Sequence, residues 1–228
     1  MKRAVNCGLV KADNMKQAIL LLSFGTPRQP SDLLPYLTSI RRGKIPTERE
    51  LEVLTARYDA IGQWDNKLLQ TMGEEQKKTL ESLLKIDAMY LAYLHMPNSM
   101  EQAVESIAAA GYTSILCIVT SPFYSMVGTG AYERKLHSIL RAYPDISCEI
   151  IKSWWNRPQF FEYWRSQLMA ANPLQGDTAC IFSAHSVPTS TVGNYEDEVM
   201  LASNQIAKMV GLNHWYQAWQ SAAPYGEW

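Results

Sequence analysis

The chain has 228 residues, 47% of them hydrophobic and 19% charged, with 21 Lys and Arg against 22 Asp and Glu. A formal net charge of −1 supplies no basic excess to neutralise phosphates, which argues against a nucleic-acid partner. At roughly 100–200 residues per domain the length suits one large domain or somewhat more, and no run approaches the ~18 uninterrupted apolar residues of a transmembrane segment.

Residues 1–15 contain no apolar signal core and read as an irregular N-terminal extension before Lys16. The first strand is then expected at Ala18 to Phe24, closed by Gly25-Thr26-Pro27. Its continuous apolar run suits a strand covered on both faces, as in a parallel sheet. Ser31 is expected to cap a short helix through Leu33, Leu34, Leu37 and Ile40, which ends in Arg41-Arg42-Gly43-Lys44. Thr47 followed three residues later by Glu50 is a capping-box signature for a second helix carrying Leu51, Leu54 and Tyr58. After an irregular Gln63 to Lys67, a third helix with Met72, Leu80, Leu83 and Leu84 runs to about Leu84.

Met89 to His95 reads as the second strand, Asn98 as the cap of a helix ending at Gly111, and Ile115 to Val119 as the third strand. A polar, glycine-bearing loop from Ser121 to Gly130 leads to a helix from Ala131 to Tyr143, and Ser147 to Ile151 is the fourth strand. Arg157-Pro158 opens an aromatic-rich helix through Phe160, Phe161, Tyr163, Trp164 and Leu168. The fifth strand, Thr178 to Ser183, leads to a helix from Tyr195 to Val210 with inner residues Val199, Ala202, Ile206 and Met209, and Trp215 to Trp219 is the sixth strand.

Strands alternating with helices at this spacing imply parallel βαβ units. The expected architecture is α/β: a Rossmann-like parallel-sheet domain over residues 16–174, then residues 175–228 as the start of a second, incomplete domain of the same type. Two strands and one helix are too little to close a separate core, so an apolar sheet edge is expected to stay uncovered. Cys7, Cys117, Cys148 and Cys180 show no CxxC spacing. They read as small buried hydrophobes in a reducing compartment, which points to a cytoplasmic protein.

Neither G-x-G-x-x-G nor G-x-x-x-x-G-K-[ST] occurs, nor does H-E-x-x-H or a serine nucleophile elbow. His185 is the main candidate for chemistry. It follows an apolar strand in Ile181-Phe182-Ser183-Ala184-His185-Ser186-Val187-Pro188, and ligands of open α/β sheets bind outside the carboxyl ends of the strands. His95, after the second strand, could face the same crevice, whereas His137 and His214 read as surface residues. The Arg41-Arg42 pair could hold carboxylates bidentately or simply form a solvated helix end.

These residues carry a resemblance. Ile181 to Pro188, Tyr195-x-Asp197 and Trp219-Gln220-Ser221 resemble the ferrochelatase family, as do Ser23-Phe24-Gly25-Thr26-Pro27, Ile40-Arg41-Arg42-Gly43, Arg57-Tyr58-Asp59-Ala60-Ile61-Gly62 and Ser121-Pro122-Phe123-Tyr124-Ser125. The motifs follow the family's order, and the closest look is to its Gram-positive, coproporphyrin-using branch. The resemblance implies a chelatase-like fold and insertion of ferrous iron into coproporphyrin III or protoporphyrin IX in haem biosynthesis. It implies no cofactor beyond the substrate iron, and a monomer is expected.

By the same resemblance His185 binds the incoming iron or receives a pyrrole proton, and Phe24, Arg41, Arg57, Tyr58, Asp65 and Tyr132 line the porphyrin cleft. Phe24 stands where that branch usually has a tyrosine, and Gly62 to Lys67 replaces the usual Gly-Gly-x-Ser-Pro-Leu. The family continues well past the match to Trp219-Gln220-Ser221 and there supplies a glutamate that works with the histidine. A non-catalytic porphyrin- or haem-binding relative is therefore the alternative.

Overall fold

The computed structural model describes residues 16–62, 64, 68–171 and 178–222. Four strands, β1 (Gln17–Ser23), β2 (Met89–Tyr93), β3 (Ser114–Val119) and β4 (Ser147–Ile151), form one sheet in the order β2-β1-β3-β4, with every pairing parallel. Two more, β5 (Cys180–His185) and β6 (Trp215–Gln220), form a parallel pair. The helices are α1 (Leu33–Ile40), α2 (Glu48–Ala60), α3 (Leu68–Leu84), α4 (Ser99–Ala109), α5 (Thr129–Leu140), α6 (Pro158–Ala170) and α7 (Tyr195–Val210).

The apolar run of β1 serves both faces of the larger sheet. Ala18, Leu20 and Leu22 are sealed against Met100, Val104 and Ile107 of α4 and Leu136 of α5, with Cys117 and Val119 of β3 beside them. On the opposite face α3 covers β2, and Leu21 and Ile118 join Met72, Leu80 and Trp154 around an open apolar groove of about 600 Å³. Leu83 and Leu84 at the end of α3 stay exposed.

The helix-start signals were resolved differently at two sites. Thr47 and Glu50 form the expected capping box: Thr47 Oγ1 accepts from the Glu50 amide at 3.3 Å, and Glu50 Oε2 accepts from the Thr47 amide at 2.7 Å. Ser31 does not cap α1. Pro30 opens a 3₁₀ turn through Asp32, and the Asp32 carboxylate turns back to accept from the Arg28 amide at 2.9 Å. On α7 the inner stripe is Val199, Ala202, Ile206 and Val210; Met209, one residue off that 3.6-residue repeat, is exposed.

The aromatic residues of α6 are explained by what they meet. Phe160 is buried with Ala202 and Ile206 of α7, and half-buried Phe123, Trp154, Trp155, Phe161 and Phe182 pack around them. The smaller sheet is thereby fastened to the larger one through α6 and α7. Its other face is open, with Ile181 64% and Tyr216 60% exposed; these two are register partners and so share that face. Residues 172–177, where the sequence suggested a domain boundary, lie outside the described residues.

Candidate functional site

The carboxyl end of β1 runs into Phe24-Gly25-Thr26. Gly25 has φ +90, and a Cβ there would lie 2.9 Å from Met96 Cγ and 3.0 Å from Tyr93 Cβ. Only glycine lets the chain turn this tightly against the end of β2. The turn opens a cavity of about 310 Å³ walled by Phe24, Tyr36 of α1, Tyr58 of α2, and Gln70 of α3, with Tyr93 and Met96 behind them. Phe24 lies 4.4 Å from the His95 ring and edge-on to Tyr36 at 6.5 Å. Four aromatic rings, Phe24, Tyr36, Tyr58 and Tyr93, thus line one concave surface, a shape suited to a flat ligand.

His95 is held by Ser39 Oγ at 2.9 Å from Nδ1. Burial, with the Lys135 ammonium adding to it, pushes the imidazole down to about 4, so the ring is neutral near pH 7. Burial, with the neighbouring Tyr58 second, pushes the Tyr36 phenol above the ordinary tyrosine range, and it remains a protonated hydrogen-bond donor.

Arg41, Arg57 and Tyr132 do not share this cavity. Arg41 and Arg57 line a neighbouring groove between α1 and α2 with Leu37, Arg49 and Glu50. Arg41 is already paired with Glu50 there. The Thr47 amide, with Arg41 next, holds the Glu50 carboxyl down at about 2, so the acid stays ionised and keeps its guanidinium partner. Tyr132 is 4% exposed within the main core, on the buried side of α5. Asp65 lies outside the described residues. Tyr36, Gln70, Tyr93 and Met96 were not singled out in the sequence, because the first three read there as ordinary helix or strand positions and Met96 as part of the link that follows the second strand.

His185 is the last residue of β5 and continues the exposed face of Ile181 and Ser183, while Phe182 and Ala184 turn toward α7. Its main chain is firmly tied. The Tyr195 hydroxyl donates to His185 O at 2.9 Å, and the Ser186 amide and hydroxyl both donate to Gln220 O, at 2.8 and 2.7 Å. Its Nδ1 sits 2.8 Å from Ser186 O. A carbonyl can only accept, so the neutral tautomer that fits this contact carries its proton on Nδ1 and its lone pair on Nε2. Phe123, from the loop after β3, meets Tyr195 edge-on at 6.2 Å, which connects the carboxyl ends of β3 and β5. Among the described residues no group of three or more His, Cys, Asp or Glu gathers in one place; His185 is a lone donor.

Comparison with known proteins identifies the family and the fold. Residues 16–228 match the model of the family described as Ferrochelatase. The coproporphyrin III ferrochelatase of Staphylococcus aureus strain N315 is 30% identical over 225 residues, covering 92% of this chain and 73% of the relative. That of Staphylococcus epidermidis is 30% identical over 222 residues, covering 91% and 72%. Among solved structures, SirB from Bacillus subtilis with Fe3+ superposes with a TM-score of 0.57 at 11% identity, covering 93% of this chain and 68% of the other. The cobalt complex of the sirohydrochlorin chelatase SirB from Bacillus subtilis subspecies spizizenii gives 0.55 at 12% identity, covering 89% and 67%. At such identities the structural likeness establishes a shared chelatase-type fold. The match over nearly the whole described chain and the identity to the staphylococcal enzymes establish more: the chain belongs to the ferrochelatase family.

Proposed function

We propose that this protein inserts ferrous iron into a porphyrin, with His185 as the residue that meets the metal and the Phe24–Tyr36–Tyr58 cavity as the seat of the macrocycle edge. The single observation that carries the reading is the state of His185. It ends a strand on an exposed face with Nδ1 against a carbonyl and, among the described residues, no partner at Nε2, which is what a ligand for ferrous iron or an acceptor for a pyrrole proton requires. Insertion joins Fe2+ to four ring nitrogens and releases two N–H protons. The aromatic walls hold the plane of the ring so that the metal approaches from one side, a gain in orientation rather than in new bonding. The relatives' substrate makes coproporphyrin III the proposed porphyrin. The site requires no cofactor besides the iron it consumes, and we place the protein in the cytoplasm as a monomer.

The contacts of His185 also favour a second reading. Its hydrogen-bond partner is a backbone carbonyl, and among the described residues it has no carboxylate to pass a proton to. A porphyrin-binding protein without insertion activity would need only the cavity. The two readings separate in an anaerobic assay of ferrous iron with coproporphyrin III and protoporphyrin IX, using wild type and His185→Ala. Metallation by wild type that falls at least tenfold in the variant supports insertion at His185. Porphyrin binding with no metallation supports the binding protein, and equal rates in both chains refute the assignment of His185.

A further inference from the structure

The floor of the aromatic cavity contains two polar atoms that no described residue satisfies. Gln70 uses its amide nitrogen to donate to Thr26 O at 3.2 Å, which fixes the side chain and leaves Oε1 on the other side. Oε1 is buried without a partner, and so is the hydroxyl of Tyr93, a residue only 6% exposed. Both residues line the same 310 Å³ space, and so does Arg28. Buried polar groups left unpaired are rare and costly, so two in one cavity call for a ligand or ordered water.

The chemistry of the three groups narrows what fits. Burial, with the Glu74 carboxylate adding to it, pushes the Tyr93 phenol up, while Arg28 opposes the rise. The hydroxyl is therefore a proton donor at neutral pH, and a guanidinium is close enough to be felt. The Arg28 amide is committed to Asp32, but among the described residues no ion pair occupies its guanidinium. α3 makes room for the hydroxyl with Gly73, where a Cβ would stand 3.0 Å from it. Two donors, one of them cationic, suit a carboxylate, and a water resting on that carboxylate can donate to Gln70 Oε1.

We propose that Arg28, Gln70 and Tyr93 form a subsite that takes a carboxylate-bearing side chain of the tetrapyrrole. This rests on the macrocycle occupying the cavity, as proposed above. It assigns substrate selection to residues separate from Arg41, whose guanidinium Glu50 holds in the neighbouring groove.

The test is porphyrin binding to the 228-residue chain, read by tryptophan quenching in dilute non-ionic detergent with coproporphyrin III and its tetramethyl ester. Tyr93→Phe should weaken the acid about tenfold, as expected for losing a hydrogen bond to a charged group, and leave the ester unchanged. Arg28→Gln should weaken the acid and flatten its salt dependence. Without ligand, Tyr93→Phe should melt no lower than wild type, because the hydroxyl it removes has no partner there.

Acid and ester weakened alike, or neither weakened, would mean that the cavity holds ordered water only and would overturn the subsite. A ligand-free Tyr93→Phe that melts well below wild type would overturn it too, by showing that the hydroxyl is already paired. Porphyrin binding with no iron insertion would refute the enzymatic reading and leave the subsite standing, whereas a wild type that binds neither compound would refute both.

Discussion

The neutral His95 ring makes stability depend on pH in one direction. Its imidazole is pushed from 6.5 down to about 4, first by burial and then by Lys135. Above about pH 6.5 the ring is neutral folded and unfolded, so its titration contributes nothing to pH dependence. Between about 6.5 and 4 the unfolded chain takes up a proton that the folded chain refuses, and stability falls as the pH falls. At 1.36 kcal/mol per pH unit the ceiling is about 3 kcal/mol, and solvent screening of a half-buried ring lowers it to about 2 kcal/mol. His95→Gln retains a polar partner for Ser39 but cannot titrate in this range. Urea unfolding followed by tryptophan fluorescence, at steps from about pH 7.5 to pH 4, should therefore show wild type losing about 2 kcal/mol more than the variant. Parallel stability curves for the two chains would refute the burial argument.

The tie between Tyr195 and His185 offers a further check. Tyr195→Phe keeps the ring packing on Phe123 and Trp219 but loses the bond to His185 O. Urea unfolding should show a loss of about 1 kcal/mol, and the apparent KM for iron should rise while porphyrin affinity holds; a change in porphyrin affinity alone would contradict the placement. Gly25→Ala meets both a left-handed backbone and the Met96 and Tyr93 side chains. It should lower stability by roughly 1–3 kcal/mol and weaken porphyrin binding, and a variant as stable as wild type in thermal melts would count against the tight turn.

Periodicity made most of the fold legible. The strand from Ser147 to Ile151 and the helix from Tyr195 to Val210 have the expected limits, since alternation, dipole-matched charges and the terminal Gly211 all agree there. Other details depend on contacts that no local pattern carries. Neither Ser31 nor Asp32 caps α1 with its side chain, since Pro30 opens a 3₁₀ turn ahead of it and the Asp32 carboxylate binds the Arg28 amide, and the aromatic content of α6 is explained only by the surface of α7. At the site, the motifs pointed to His185 and the Phe24 turn, and the structure brings Phe24 and Tyr58 to one cavity. They could not distinguish Tyr58 from its neighbour Arg57, because a one-residue step on a helix turns a side chain about 100° away. Tyr93 was hidden for a related reason: a tyrosine in a strand reads as packing until its hydroxyl is found without a partner.

The joint between the two sheets has a mechanical consequence. The described side chains that meet there, Phe123, Trp154, Trp155, Phe160 and Phe161 against Phe182, Tyr195, Ala202 and Ile206, are rings and aliphatic groups. Dispersion between such surfaces is non-directional but depends on close contact, and a gap of about 0.5–1 Å already loses a quarter to a half of it. A joint of this kind is held by fit rather than by directional bonds. The ties at Ser186 and Tyr195 hold the histidine as one piece with its strand, so a shift of the smaller sheet against the larger one moves His185 with it.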